Sequence, residues 1–238
     1  GARDRSAVGH LLKLDAVLFD LDGTLVDSVP DVRWSLNQAL AAEGRNAVSI
    51  DQVKGYVGQG ARQLAERALR DTGGMRDDAQ HKRLLDGFLD TYRNNPVQFT
   101  TVFPGVFEAL ARLQARNIKL AICTNKPDIT TWPVLRTLGF DKIFPVVLCG
   151  DKARKQKPDG AHVIETAEML GVDPANCIMI GDSENDILAA HDANVPSVCV
   201  TFGYCHVPLE DLKPTVVIDH FDALDGAIDQ ITKSSGVA

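Results

Sequence analysis

Short apolar runs alternate with amphipathic stretches along most of the 238-residue chain. The run 14–21 is apolar and ends in Asp22-Gly23-Thr24, the composition of a strand entering a tight loop. After Val102 the alternation is regular. It predicts helices over 106–115, 128–138, 160–170 and 187–193, strand-like runs at 118–123, 144–148, 177–180, 197–200 and 216–218, and a terminal helix. Strands that alternate with helices imply an α/β fold, a doubly wound parallel sheet with right-handed crossovers. Pro133 falls inside one predicted helix, so that helix is expected to start later or to kink.

Between Ser28 and about Thr101 the pattern changes to helical segments only, at 32–43, 50–57, 61–70 and 80–92. Sheet pattern flanks this stretch on both sides, so it reads as an inserted helical cap. The domains expected are a catalytic core of 14–27 and 102–238 and a cap of 28–101, joined by linkers near 26–29 and 100–104.

Composition narrows the classes. Hydrophobic residues make up 45% and charged residues 24%, which excludes disordered, collagen-like and coiled-coil chains. With 25 Lys+Arg against 32 Asp+Glu the formal charge is −7, a field that opposes phosphate backbones and anionic lipid, so no nucleic-acid or membrane partner is expected. No apolar run approaches the ~20 residues of a spanning helix, and residues 1–6 lack the apolar stretch of a secretory signal. A cytoplasmic protein is expected. The five cysteines lack metal-site spacing and read as reduced thiols, mostly buried. Cys205 stands beside His206 in a loop, where a Cys-His nucleophile would still need an orienting group that the sequence does not supply.

Candidate chemistry collects at the ends of the predicted strands. Asp20 and Asp22 lie two apart, so strand geometry points both the same way, roughly 6 to 7 Å apart. Such a pair favours Mg²⁺ binding or acid–base work; the same string also opens many turns and calcium loops. Thr124, Asn125 and Lys126 follow the next strand and offer oxyanion donors, or a helix cap. Lys157 precedes a helix beside Pro158, and a solvated surface lysine is the alternative reading there. Gly181 to Asp186 again follow a strand and add Asp182 and Asp186, a second acidic group. Ligand sites of open α/β sheets form outside the carboxyl ends of the strands. Two pairs of carboxylates, a hydroxyl and a lysine delivered there are what phosphoryl transfer requires.

In DLDGTLVDS (residues 20–28), CTNK (123–126), Lys157-Pro158 and GDSEND (181–186) the sequence resembles the haloacid dehalogenase superfamily, over about residues 14–222. The resemblance implies a Rossmann-like core with a helical cap inserted after the first motif. It further implies that Asp20 attacks phosphorus to give an aspartyl-phosphate, and that Asp22 protonates the leaving oxygen and then activates water. Asp20, the backbone carbonyl of Asp22 and Asp182 would hold Mg²⁺, with Asp186 as a ligand or an orienting group. Thr124 and Asn125 would bind phosphoryl oxygens, and Lys157 would neutralise Asp20 and the phosphate. A carboxylate at Asp22 argues against the dehalogenases and phosphonatases of the superfamily. Asp159 stands where many relatives have a second proline.

Within the superfamily, residues 55–62 together with the first two motifs are similar to members acting on 2-phosphoglycolate. Arg62 would meet the substrate carboxylate; an exposed helical cation is the alternative. The expected substrate is a small phosphorylated metabolite. The rivals are a β-phosphoglucomutase, a pyrophosphatase, a sugar-phosphate phosphatase and a non-catalytic phosphate-binding regulator. Monomer or dimer is left open.

Overall fold

Ala16–Phe19 are apolar without interruption and form the first strand, β1, fully buried. A strand with no solvent face belongs at the centre of a sheet covered on both sides, and β1 is there. The computed structural model describes residues 13–233; the segment 1–6, read above for a secretory signal, lies outside them. The chain continues through β2 (Val26–Asp27), α1 (Val29–Ala42), α2 (Ile50–Tyr56), α3 (Ala61–Asp71), α4 (Asp78–Asn94) and β3 (Thr101–Val102). It then runs through α5 (Val106–Ala115), β4 (Lys119–Thr124), α6 (Asp128–Leu138), β5 (Val146–Cys149), α7 (Gly160–Met169) and β6 (Cys177–Gly181). The last elements are α8 (Glu184–Asp192), β7 (Ser197–Val200), α9 (Leu209–Leu212), β8 (Val216–Ile218) and α10 (Leu224–Lys233).

Six strands make one sheet in the order β5-β4-β1-β6-β7-β8, every neighbour parallel. Period-two alternation divides its core between two faces. Val17 and Phe19 pack with Leu110, Leu113 and Ile228 of α5 and α10. Ala16 and Leu18 pack with Val163, Ala167, Ala189 and Ala190 of α7 and α8. The chain reverses its order across the sheet at β1, with β4 on one side and β6 on the other. That is the switch point where such sheets bind ligands.

Helices α1 to α4 carry their own core, including Leu36, Leu40, Val53, Leu69, Leu84 and Phe88. The two crossings into this unit, read from sequence as linkers, pair with each other: β2 and β3 form a short antiparallel ladder. Asp31, buried in the first turn of α1, accepts from the backbone N–H groups of Gln98, Phe99 and Thr100 and from the Thr100 hydroxyl. The returning segment is thereby pinned to the departing one.

Helix starts are where the structure departs most from the sequence pattern. α1 begins at Val29 with Pro30 in its first turn, a position that needs no N–H. α4 begins at Asp78 because Asp77 accepts from Gln80 N at 2.8 Å. α6 does not start late: it runs from Asp128 to Leu138 with Pro133 inside it. The missing N–H falls opposite the carbonyl of exposed Ile129, and Thr137 Oγ1 donates to the Pro133 carbonyl at 2.7 Å. Asp159, in place of a second proline, caps α7 by accepting from Ala161 N. Cys123, Cys149, Cys177 and Cys199 are buried, Cys205 is half-buried, and all five are free thiols. Among the described residues no helix is long and apolar enough to cross a membrane.

Candidate active site

The carboxyl ends of β1, β4 and β6 lie side by side, and the residues that follow them converge on one cleft. β1 stops at Phe19, and Asp20 N still donates to Ile180 O of β6 at 2.9 Å. The chain then turns on itself, with Thr24, Leu25 and Val26 all donating to the Leu21 carbonyl. Gly23 completes that turn at φ 82°, and a Cβ there would stand 2.3 Å from Asp182 Oδ2. Only glycine lets the first loop lie against the third.

Carboxylate oxygens of Asp20, Asp182 and Asp186 approach within 4.8 Å of one another. Lys157, reaching in from the loop before α7, is the ammonium among them. Its Nζ donates to Asp186 Oδ1 at 2.6 Å and to the Cys123 carbonyl at 2.7 Å, and lies 3.2 Å from Asp20 Oδ1. Burial alone would lower the Lys157 pKa; Asp186 and then Asp20 outweigh it and hold the group charged. Burial, then the Asp186 charge, pushes Asp20 up to about 7 against the pull of Lys157. Asp182 is raised for the same two reasons. It accepts from Thr24 Oγ1 and Tyr204 N. Asp186 is held by four donors, Lys157, the backbone N–H groups of Asp182 and Ser183, and the Ser183 hydroxyl.

Asp22 has different company. Its carboxylate accepts from Ser28 Oγ at 2.6 Å and from Lys126 Nζ at 3.0 and 3.2 Å. The strand pattern predicted that both aspartates share one space, and both line the cleft; within it they have different lysine partners. Lys126 Nζ also donates to the Tyr92 hydroxyl of α4 at 2.5 Å and stands 4.3 Å from that ring's centre.

Of the residues singled out in sequence, Asp20, Asp22, Thr124, Asn125, Lys157, Asp182 and Asp186 all line this cleft. The Asn125 amide is otherwise engaged: its Nδ2 donates to the carbonyls of Gly58 and Lys157, both at 2.8 Å, and its Oδ1 accepts from Lys157 N. It braces the lysine loop against the helical unit rather than offering its amide to an anion. Arg62 is not brought to the cleft. It is exposed on α3, whose inner face is Leu64, Ala65, Ala68 and Leu69. Cys205 and His206 are tied to Glu184, and His206 also to the Lys54 carbonyl; neither lines the cleft.

The pattern offered Lys126 only as part of the donor loop 124–126 and gave no role to Tyr92 or Tyr204. Tyr204 donates its N–H to Asp182 and its hydroxyl to Asp27 of β2, linking the acidic cluster to the crossing segment. The sequence signal available was the lysine directly after Thr124-Asn125; the tyrosines come from 34 and 177 residues away from their partners.

The three carboxylates fit a divalent cation. They are hard oxygen donors, and one ammonium leaves their buried like charges under-compensated.

A model of the family described as haloacid dehalogenase-like hydrolase matches residues 17–200. A phosphoglycolate phosphatase of Agrobacterium fabrum is 44% identical over 223 residues, 93% of this chain and 95% of the relative. One from Caulobacter vibrioides is 40% identical over 89% of this chain and 90% of the relative. A crystal structure from Haemophilus somnus, described as a predicted phosphoglycolate phosphatase, superimposes with a TM-score of 0.86 at 32% identity, covering 90% of this chain and 98% of that one.

Proposed function

The chain belongs to the haloacid dehalogenase-like hydrolase family, and from that membership and the cleft we propose a phosphatase that hydrolyses a small phosphate monoester, 2-phosphoglycolate first. The relatives' names support the substrate class. The observation that carries the reading is the division of Asp20 and Asp22 between Lys157 and Lys126, which fits two carboxylates for different tasks.

Asp20, at the end of the central strand, is the nucleophile; its carboxylate forms the bond to phosphorus as the ester oxygen departs. Asp22 gives that oxygen its proton and then takes one from the water that opens the aspartyl-phosphate. Lys157 holds Asp20 in place, and Thr124 lines the phosphoryl side. Asp20, Asp182 and the Asp22 carbonyl would hold Mg²⁺, with Asp186 orienting Lys157 and the loop of Asp182. When bound, the cation supplies charge neutralisation at the phosphoryl oxygens. The helical unit of α1 to α4 acts as a cap: Tyr92 and Gly58 reach over the sheet end, and Asn125 and Asn185 both donate to the Gly58 carbonyl.

The test is phosphate release from a panel of small esters and pyrophosphate, with Mg²⁺ or with chelator. The expected result is preferred, metal-dependent hydrolysis of 2-phosphoglycolate, lowered by about 10⁴-fold or more in Asp20→Asn. An Asp20→Asn protein as active as wild type overturns the nucleophile. A bis-phosphorylated sugar accumulating in place of free phosphate makes the protein a mutase.

A further inference from the structure

Two lysines line the cleft among the described residues, and only one is placed to recognise the part of the substrate that leaves. The ammonium of Lys157 faces three separate partners, Asp186, Asp20 and the Cys123 carbonyl, which account for its three protons. Lys126 faces two, the Asp22 carboxylate, whose oxygens at 3.0 and 3.2 Å can share one proton, and the Tyr92 hydroxyl, and it is 5% exposed. Because the Tyr92 hydroxyl accepts from Lys126, its own proton remains to be donated, and burial pushes its pKa up to about 12, so it keeps that proton. The result is a pair of donors, one cationic, on the wall of the cleft next to Asp22. The surrounding wall is apolar: Val32, Val57, Leu64 and Phe88. A low-dielectric setting strengthens an ammonium's attraction for an anion.

Covalent geometry supplies the register. In a phosphorylated 2-hydroxy acid one carbon separates the ester oxygen from the carboxylate, so the two sets of oxygens lie roughly 3 to 4 Å apart. Asp22 must reach the ester oxygen to protonate it, and Lys126 Nζ is 3.0 Å from Asp22 Oδ1. A carboxylate attached next to that oxygen therefore falls on Lys126 and Tyr92. We propose that Lys126, assisted by the Tyr92 hydroxyl, binds the carboxylate of the substrate and selects phosphorylated short hydroxy acids over uncharged phosphate esters. Arg62, the sequence's candidate for this task, faces solvent. The proposal rests on the phosphatase reading above and extends it to the leaving group.

The test uses two inert phosphonates of matched length, 3-phosphonopropionate with a carboxylate and propylphosphonate without one, titrated calorimetrically into the protein with Mg²⁺. Wild type should bind the carboxylate compound more tightly. Lys126→Met should reduce that preference by about 10- to 100-fold. Loss of the Asp22 partner changes both ligands alike, so the ratio isolates the carboxylate. Tyr92→Phe, which keeps the ring and its packing, should reduce the ratio by about 3- to 10-fold and gives the same readout if Lys126→Met does not fold. A preference retained in both variants, or absent from wild type, overturns the proposal while ester hydrolysis still stands. A preference lost in the variants of a protein that releases no phosphate from any ester supports the carboxylate site and overturns the phosphatase reading instead.

Discussion

Lys157 and Lys126 are both buried ammonium groups beside an aspartate of the cleft, and they differ in where their partners come from. Lys157 is held from within the sheet end: Asp20 follows β1, the Cys123 carbonyl belongs to β4, and Asp186 lies in the first turn of α8. Lys126 is held across two units, by Asp22 of the first loop and by Tyr92 of α4. A group fixed by one rigid scaffold suits a task that is the same for every substrate. A group completed by the helical unit suits discrimination, because that unit can vary without disturbing the strands.

The sharpest way to break this contrast is to remove each ammonium in turn. Lys157→Met leaves Asp20 and Asp186 buried without their counter-charge, and should cost about 3 to 5 kcal/mol of stability. Lys126→Met leaves Asp22, 23% exposed and still bonded to Ser28, and should cost about 1 to 2 kcal/mol. Urea unfolding of both variants without added metal reads the difference. Equal losses would mean that the two lysines are interchangeable scaffold charges, and the contrast would fall.

The loop that carries Lys157 has its own support, which can be probed through pH. His162 is fully buried; its Nδ1 accepts from Lys157 N at 3.3 Å and its Nε2 faces the Leu148 carbonyl at 2.9 Å. That pairing places the proton on Nε2 of a neutral ring. Burial first, then the Lys157 charge, lowers its pKa to about 4. The unfolded ring titrates near 6.5. Above that value both states are neutral and the ring contributes no slope. Between about 6.5 and 4 the unfolded state binds the extra proton, so stability falls with pH by about 1.4 kcal/mol per unit. From pH 6.5 to 5 wild type should therefore lose about 2 kcal/mol more than His162→Gln does. Parallel losses would show that the ring is not held neutral and that the lysine loop is less rigid than the geometry implies.

How far the site was legible follows the same division. Asp20, Thr124 and Asp182 could be read in sequence because they sit at strand ends, and Lys157 and Asp186 because they lie in the segments that follow strands, which topology brings to the same edge of the sheet. Asp20 and Asp22 do line one cleft, as the spacing implied; what the spacing did not show is that each has its own lysine, because Lys157 and Lys126 come from loops far away in sequence. Arg62 could not be settled by the pattern. It shares a helical stripe with Ala65 and Leu69 of the inner face of α3, yet it stands in the first turn, at the edge of that face, and is exposed. Tyr92 was assigned to a helix but not to the cleft. No local signal marks which side of a helical unit meets a sheet end, and that depends on the packing of α4 against α1 and α6. Helix starts were missed where a side chain outside the periodic pattern, such as Asp77, sets the cap.

The smallest expected effect concerns a second contact between the two units, and its pH dependence runs opposite to that of His162. His206 Nδ1 lies 2.7 Å from Glu184 Oε1 of α8, and Nε2 lies 2.6 Å from the Lys54 carbonyl of α2. Both ring nitrogens face acceptors, so both contacts together require the imidazolium. The hydrogen bond to Glu184 raises the His206 pKa. Glu184, which burial alone would push up, is brought down to about 2, first by that same hydrogen bond. Cys205 lies on the Glu184 side, and Arg67 is the cation whose charge opposes protonation. A raised histidine contributes stability that is fully present below about pH 6.5 and is lost as pH rises through the higher folded value. The side chain is 30% exposed, so solvent screening holds the contribution to about 0.5 to 1 kcal/mol. His206→Ala should accordingly destabilise the protein at pH 6 and have little effect at pH 9. Hydrogen exchange should quicken in 54–60, the segment that presents Gly58 to the cleft, and leave β1 unchanged. Exchange that quickens equally in both would mean that the helical unit and the sheet open together, and that the scaffold and the selector are one cooperative body.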